Sequence, residues 1–463
     1  MKRLVSLICI SMVVVIAAGG IAFGQSRYDK WQASRPFTIG AMYYDAPVGP
    51  AATLPPGSAQ PDMQIFRGAG LNMIDDVSHS AGGHQDYPGV ATAQAAGVPF
   101  MILGAGWAGK GAPTALGSFQ KHVRFFADDP RWNGFAGVQM ADEPRDPVEM
   151  AQYRQQRDWL VETYPHLLVA VCEAAGDYEM IERQIVAIRP DAIFYQWYHS
   201  LWKVGLEDIW FIRHNEEMSN LCKKHDVSFW ITRLTGRERQ SESEYRASTF
   251  PSLAYGCRGF IDWYYDGGLL TKKSSWPMIG YVNSLDGDKP LLPQYEYLSR
   301  INGEVTNLGP ALVNLRHVKS FTVGTHEPEV KFPTLFAGDH PGHTGKLKTL
   351  AGRTAPDTPG EKDGRLLVGF FRDADEEYFM VVNLNFDRVK HSDHPWLVQR
   401  VMIGFADEVE AVERLSRTTG KVERLALEDH KLIFDLPGAT GDLFKVATGK
   451  PFAGIEPDSG ETE

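Results

Sequence analysis

Cysteine is scarce in this chain: 463 residues carry only four, Cys9, Cys172, Cys222 and Cys257. Three widely spaced cysteines past residue 24 are no disulfide framework. Each reads as a small buried apolar side chain rather than a nucleophile. Excess positive charge is missing too. The 47 Lys and Arg are outnumbered by 58 Asp and Glu, for a net charge of -11, and the two signs are interspersed. That speaks against a nucleic-acid partner, which needs a basic face. No apolar run of membrane-spanning length follows the first 24 residues, so the body of the chain has no stable membrane partner once a leader is removed. Neither His-x-His nor His-Glu-x-x-His occurs. No Gly-rich dinucleotide fingerprint follows the first strand-like run, and no repeat of solenoid period is present. No cofactor or metal is expected on these grounds.

What is present begins with a leader. Lys2 and Arg3 precede an uncharged, mostly apolar run from Leu4 to Phe23, and Ala22-Phe-Gly24 places small residues at minus three and minus one before Gln25. This reads as a signal peptide over residues 1–24, hence export to the periplasm or beyond; the alternative is an uncleaved N-terminal anchor. Hydrophobic residues make up 43% of the chain, enough for a large core. The 11 Trp, 17 Tyr and 24 Phe are generous. Aromatic faces suit sugar rings, although most such residues fill cores.

Between residues 36 and 309, short apolar runs alternate with helical patterns. Eight strands are expected at Phe37–Tyr44, Met73–Val77, Phe100–Gly104, Phe135–Met140, Leu167–Cys172, Ala192–Trp197, Ser228–Leu234 and Gly259–Trp263. Most are continuously apolar, as strands covered on both faces should be. Helical patterns follow each, the longer ones at Leu116–Ala127, Pro147–Thr163, Tyr178–Arg189, Gly205–Lys224, Ser241–Tyr255 and Pro293–Leu308. Eight such units in this length predict an α/β chain with a (β/α)8 TIM barrel over residues 30–309. A doubly wound open sheet is the rival. After Gly309 strand-like runs succeed one another without long helices, which predicts an all-β sandwich over 310–450 and a flexible tail over 451–463. Ala337–Glu361, rich in Gly, Pro, Thr and Lys, reads as a long loop.

Barrel enzymes carry their chemistry at the C-terminal ends of the strands. There the sequence offers Tyr43, Tyr44 and Asp45; Asp75, Asp76 and His79; Trp107; Asp142 and Glu143; Glu173; Gln196, Trp197, Tyr198 and His199; Thr232 and Arg233; and Asp262 with Trp263, Tyr264 and Tyr265. Converging rings and carboxylates suit a carbohydrate: rings stack on sugar faces, and carboxylates bind hydroxyls or work at the anomeric carbon. The sharpest signal is Gly134-Phe-Ala-Gly-Val-Gln-Met-Ala-Asp-Glu-Pro144, an apolar strand that stops in two acids and a proline. Its plain alternative is an acidic turn that caps the next helix. Asp75, Asp76, His79 and His84 invite a metal reading, but their spacing matches no familiar ligand motif. His391-Ser-Asp-His394 reads as a solvated loop.

Three segments carry a resemblance: Ala141-Asp-Glu-Pro144, Phe250-Pro-Ser-Leu-Ala-Tyr-Gly-Cys-Arg-Gly-Phe-Ile-Asp-Trp-Tyr264 and Leu436-Pro-Gly-Ala-Thr-Gly-Asp-Leu-Phe444. With them the chain resembles clan A-type glycoside hydrolase barrels of exported bacterial proteins, with their appended β-sandwich, over most of residues 36–447. The resemblance implies that Glu143 is the acid/base carboxylate placed after strand four. Asp142 stands where such barrels usually have Asn. The strand-seven nucleophile they also carry is absent: Ser228-Phe-Trp-Ile-Thr-Arg-Leu234 holds no acid, and Glu238, Glu242 and Glu244 follow it.

The function expected is therefore glycoside hydrolysis of an oligo- or polysaccharide, with Glu143 as general acid and Asp262, or else Glu173, as the second carboxylate. Asp142, Asp76, Tyr44, Trp107, Trp197, Tyr198, Trp263 and Arg233 are the candidate substrate contacts. Asp262 has a structural alternative, an ion pair with Arg258 or Arg233. Three rival functions stand beside this one: a non-catalytic carbohydrate-binding barrel, a metal-dependent hydrolase or lyase on the same fold, and a purely structural envelope protein.

Overall fold

The computed structural model describes residues 26–43, 63–76, 88–104, 113–174, 176–196, 207–235, 240–263, 291, 294–324, 346–354 and 364–456. Residues 1–24, read from sequence as a leader, lie outside them. Among the described residues no helix is long and apolar enough to cross a membrane.

Eight parallel strands close into a barrel in chain order. They are β1 (Thr38–Tyr43), β2 (Met73–Asp76), β3 (Phe100–Leu103), β4 (Phe135–Asp142), β5 (Leu168–Ala174), β6 (Ala192–Gln196), β7 (Ser228–Leu234) and β8 (Gly259–Trp263). Closure is direct, since β1 pairs with both β2 and β8. The expected barrel is thus present, and the open sheet is excluded. The outer layer holds α2 (Met63–Gly68), α3 (Pro88–Ala95), α4 (Leu116–Ala127), α5 (Pro147–Thr163), α6 (Tyr178–Ile188), α7 (Glu207–Lys224), α8 (Glu242–Ala247), α9 (Phe250–Ala254) and α10 (Gln294–Leu312). Local chemistry sets their ends. Asp146 caps α5 through the Val148 amide, with Pro147 at the first helical position. The single helix expected over Ser241–Tyr255 is two, because Pro251 withholds an amide and opens a new helix.

Side-chain alternation sorts every strand into a lumen set and a helix-facing set. Met42, Met73, Met101, Leu168, Ala170, Cys172, Phe194, Trp230 and Ile261 form the lumen core. Ile39, Ile74, Phe100, Ile102, Val138, Val169, Val171, Ile231 and Phe260 join the larger core under the helices. A short helix the sequence reading lacks, α1 (Arg27–Gln32), seals the N-terminal end of the barrel. Its Tyr28 and Trp31 are buried in the lumen core. Trp230 Nε1 donates to Tyr28 Oη (3.0 Å), and Trp31 Nε1 donates to the Ala136 carbonyl (2.9 Å).

The C-terminal part has two antiparallel sheets. One has six strands in the order β15-β14-β17-β12-β11-β9, the other three in the order β10-β13-β16. They comprise β9 (Arg316–Val323), β10 (Leu347–Thr354), β11 (Leu366–Asp373), β12 (Glu376–Asn383), β13 (Gln399–Phe405), β14 (Ala411–Leu415), β15 (Val422–Ala426), β16 (Lys431–Leu436) and β17 (Gly441–Val446). The loop expected over Ala337–Glu361 therefore contains a strand, β10. Its polar residues face solvent on a sheet whose other face carries Leu347 and Leu350. Sequence reasoning also missed β14.

The six-stranded sheet is buried on both faces. One face meets the smaller sheet through Phe321, Val368, Phe370, Phe379, Val381 and Phe444. The other contributes Leu367, Phe371, Tyr378, Met380, Val382 and Leu443 to the same core as Phe250, Leu253 and Leu308 of the barrel helices. At Gly369 a Cβ would collide with the Ala254 carbonyl, so only glycine lets sheet and helix approach so closely. Charges cross this junction as well: Arg246 binds Glu304 (2.6 Å), Glu304 binds Arg417 (3.3 Å), and Arg417 binds Asp442.

Candidate active site

The end of β4 is built by a bulge. Gln139 pairs with Ala170 of β5, but Ala141, not Met140, pairs with Val171. Met140 and Ala141 both turn toward the helices. The extra residue reverses the alternation, so Asp142 pairs with lumen-facing Cys172 and points inward. Its Oδ1 accepts from Gln196 Nε2 of β6 (3.1 Å).

Glu143 comes next with φ of 49°, a left-handed conformation uncommon outside Gly, Asn and Asp. Its amide donates to the Cys172 carbonyl (2.8 Å), which pins the turn to β5. The carboxylate is 39% exposed and lies 3.7 Å from Arg145 Nη2. Pro144 behind it is buried, and its carbonyl accepts from Gln184 Nε2 of α6.

Below this rim the lumen is polar. Asp75 on β2 is fully buried and follows the inward set of Met73. Gln139 and Thr232 are at least 98% buried, and Gln139 Oε1 and Thr232 Oγ1 have no protein partner. Unpartnered buried polar atoms cost free energy, so such groups belong where a polar guest can meet them. Cys172 lies among them. Burial, then the charge of Asp142, pushes its thiol well above the usual range, with Asp75 adding to the effect. Cys172 is thus a thiol and not a thiolate, in keeping with the structural role read from sequence. Trp263 packs partly buried against the lumen core.

The two second carboxylates expected from sequence are corrected. Asp262 does not enter the lumen. It alternates with Ile261 and Trp263 and faces the helices. Both its oxygens accept from Arg233, at 2.6 and 2.8 Å. Arg233, expected to touch substrate, is 2% exposed. It also donates to Asn302 Oδ1 (2.8 Å) and Thr249 Oγ1 (3.2 Å) and lies 4.6 Å over Phe260. The pair ties β7 and β8 to the helical layer. Glu173 alternates with Cys172 and likewise points outward, fully buried. Burial pushes its carboxyl well above the usual range, against the pull of Arg145.

The lumen end of β7 offers Thr232 and Leu234 and no acid. Glu242, downstream, is committed to Arg246 and to the Ser392 amide (2.8 Å). Asp76 has its backbone in register with Tyr43 and Ile102. Tyr44, Trp107, Trp197 and Tyr198 lie outside the described residues, as do His79 and His84. Sequence reasoning named Asp76 as a substrate contact and did not single out Asp75; counting the alternation from Met73 adds Asp75 to the lumen set. Among the described residues no three His, Cys, Asp or Glu could hold a metal ion. Among the described residues, clefts open at the opposite, N-terminal side of the barrel around Asp29 and Arg258, Trp31 and Arg67, and Arg157 and Asp191, and these do not reach Glu143.

No protein-family model matches the chain, and no curated protein does. Among solved structures it is similar to an alpha-amylase from Anoxybacillus, at 10% identity over 92% of this chain and 99% of that one, with a TM-score of 0.48. An alpha-amylase from Geobacillus thermoleovorans, solved with acarbose, aligns at 10% identity over 90% of this chain and 100% of that one, with a TM-score of 0.48. A GH51 alpha-L-arabinofuranosidase from Thermotoga petrophila aligns at 9% identity over 89% and 96%, with a TM-score of 0.44. The fold stands on the strand order of this chain itself.

Proposed function

We propose that this protein is an exported glycoside hydrolase acting on an oligo- or polysaccharide at the C-terminal mouth of the barrel. One observation carries the reading: Glu143 is held in a left-handed turn at the end of β4, directly after the lumen-facing Asp142. Strained conformations of non-glycine residues persist where the surroundings over-determine them, and they cluster at active sites. In this reading Glu143 protonates the glycosidic oxygen as the bond to the anomeric carbon breaks. Asp142 binds a sugar hydroxyl. Asp75, the other lumen carboxylate among the described residues, replaces Asp262 as nucleophile or as the base that takes a proton from water. Trp263 supplies an aromatic wall, and Asp76, Tyr44, Trp107, Trp197 and Tyr198 remain proposed substrate contacts.

The test is Glu143→Gln assayed on a broad panel of oligosaccharides. Turnover of the cleaved substrate should fall by about 10²–10⁴. Unchanged turnover removes Glu143 from the mechanism.

A second reading has its own observation. With no acid at the lumen end of β7, the barrel would bind glycans without cleaving them. That reading requires glycan binding with no product on any substrate, and a double variant Asp142→Asn, Glu143→Gln that binds nearly as well as the wild type.

A further inference from the structure

Behind the Glu143 turn lies a small buried pocket whose hydrogen bonds do not balance. Glu173 is fully buried on β5, and neither of its oxygens has a hydrogen-bond partner. Gln184 on α6 is 1% exposed and lies against that carboxyl. Its Nε2 is committed to the Pro144 carbonyl, and its Oε1 is also without a partner. The second Nε2 hydrogen of Gln184 can serve Glu173 but not its own Oε1, so Oε1 is left without a donor. An ionised carboxylate accepts only, whereas a protonated one carries an O–H. Leaving a buried charge and an amide oxygen both unsatisfied is strongly unfavourable. One proton on Glu173 supplies the missing donor.

We propose that Glu173 is a neutral positioning residue that donates its proton to Gln184 Oε1, and that Gln184 in turn holds the Pro144 carbonyl and so the left-handed turn of Glu143. The proposal deepens the hydrolase reading and rests on it only for its kinetic consequence. Three further relations support it. Burial drives the Glu173 carboxyl toward its neutral form. From β4 and its loop, Asp142 and Glu143 oppose a charge on Glu173, whereas Arg145 and the Gln184 amide favour one and are outweighed by burial. From β6, the register partner is Tyr195, whose hydroxyl is engaged with His214 (3.3 Å). A neutral Glu173 leaves Arg145 to Glu143, the acid proposed to work at the substrate. The role differs from that of a nucleophile, which must be ionised and must reach the lumen.

Infrared difference spectroscopy of the intact protein, wild type against Glu173→Gln at neutral pH, reads the proton directly. The expected result is loss of one protonated-carboxyl stretch. Loss of a carboxylate band instead overturns the proposal, whether or not any glycoside is cleaved. Kinetics then test positioning. Glu173→Gln, whose amide also donates to Gln184, should keep kcat within about threefold and leave the pH profile in place. Glu173→Ala and Gln184→Leu should lower kcat by roughly 10–100-fold with KM little changed, as expected of a displaced catalytic group. A Glu173→Gln protein as impaired as Glu173→Ala overturns the proposal. Where Glu173→Ala proves unstable, crystal structures of Gln184→Leu decide: Glu143 should leave the left-handed region, and its retention there overturns the linkage.

Discussion

Arg233 and Asp262 stand opposite each other in register on β7 and β8 and close a two-pronged ion pair on the helix side of the barrel wall. Both side chains are at most 1% exposed. Removing one partner strands a buried charge. Asp262→Leu and Arg233→Met are each expected to cost about 3–5 kcal/mol, and the double replacement far less than their sum. Urea unfolding of the three variants measures this. Were Asp262 a nucleophile, Asp262→Asn would abolish turnover with stability intact.

In the proposed reading Asp75 takes the role of the second carboxylate. Asp75→Asn, nearly isosteric, should lose at least about 10²-fold in kcat while oligosaccharide binding by calorimetry persists. Equal turnover would return the search for a partner acid to the rim loops.

The α7 helix carries two groups whose titrations oppose each other. Burial, with the charge of Glu217, pushes Glu216 up to about 7 from an ordinary 4.5. Between those values the folded chain holds a proton that the unfolded chain releases, so stability falls as pH rises through the window. Burial pushes His214 down to about 4 from 6.5, so the unfolded chain binds the extra proton there and stability falls as pH drops. Glu216→Gln removes the first slope. It should stabilise the protein by about 1 kcal/mol at pH 8, allowing for partial exposure, with no change at pH 4. Melting temperatures across pH 4–8 check this and should reveal the His214 limb in the variant.

The shared core forecasts the outcome of truncation. A chain ending at Leu312 would expose the face of α9 and α10 that covers Leu367, Phe371 and Met380. Such a barrel is expected to lose its cooperative melt by circular dichroism. A sharp transition in the truncated chain would show two independently folding units.

Most of the barrel was legible because strands buried on both faces leave continuous apolar runs, and Leu168 to Cys172 is one of them. Which way each acid points was less so. A bulge at Met140 and Ala141 inverts Asp142, and sequence alone does not mark which residue is the extra one. Asp262 and Glu173 were read as rim acids, yet alternation from Ile261 and Cys172 sends both into the helical layer. Polar residues in Leu347–Thr354 concealed a strand because half of it faces water.

The plug formed by Tyr28 and Trp31 makes the barrel a vessel with one opening. On the proposed function, a glycan would arrive and leave by the same C-terminal mouth, because the packed lumen core offers no second way through.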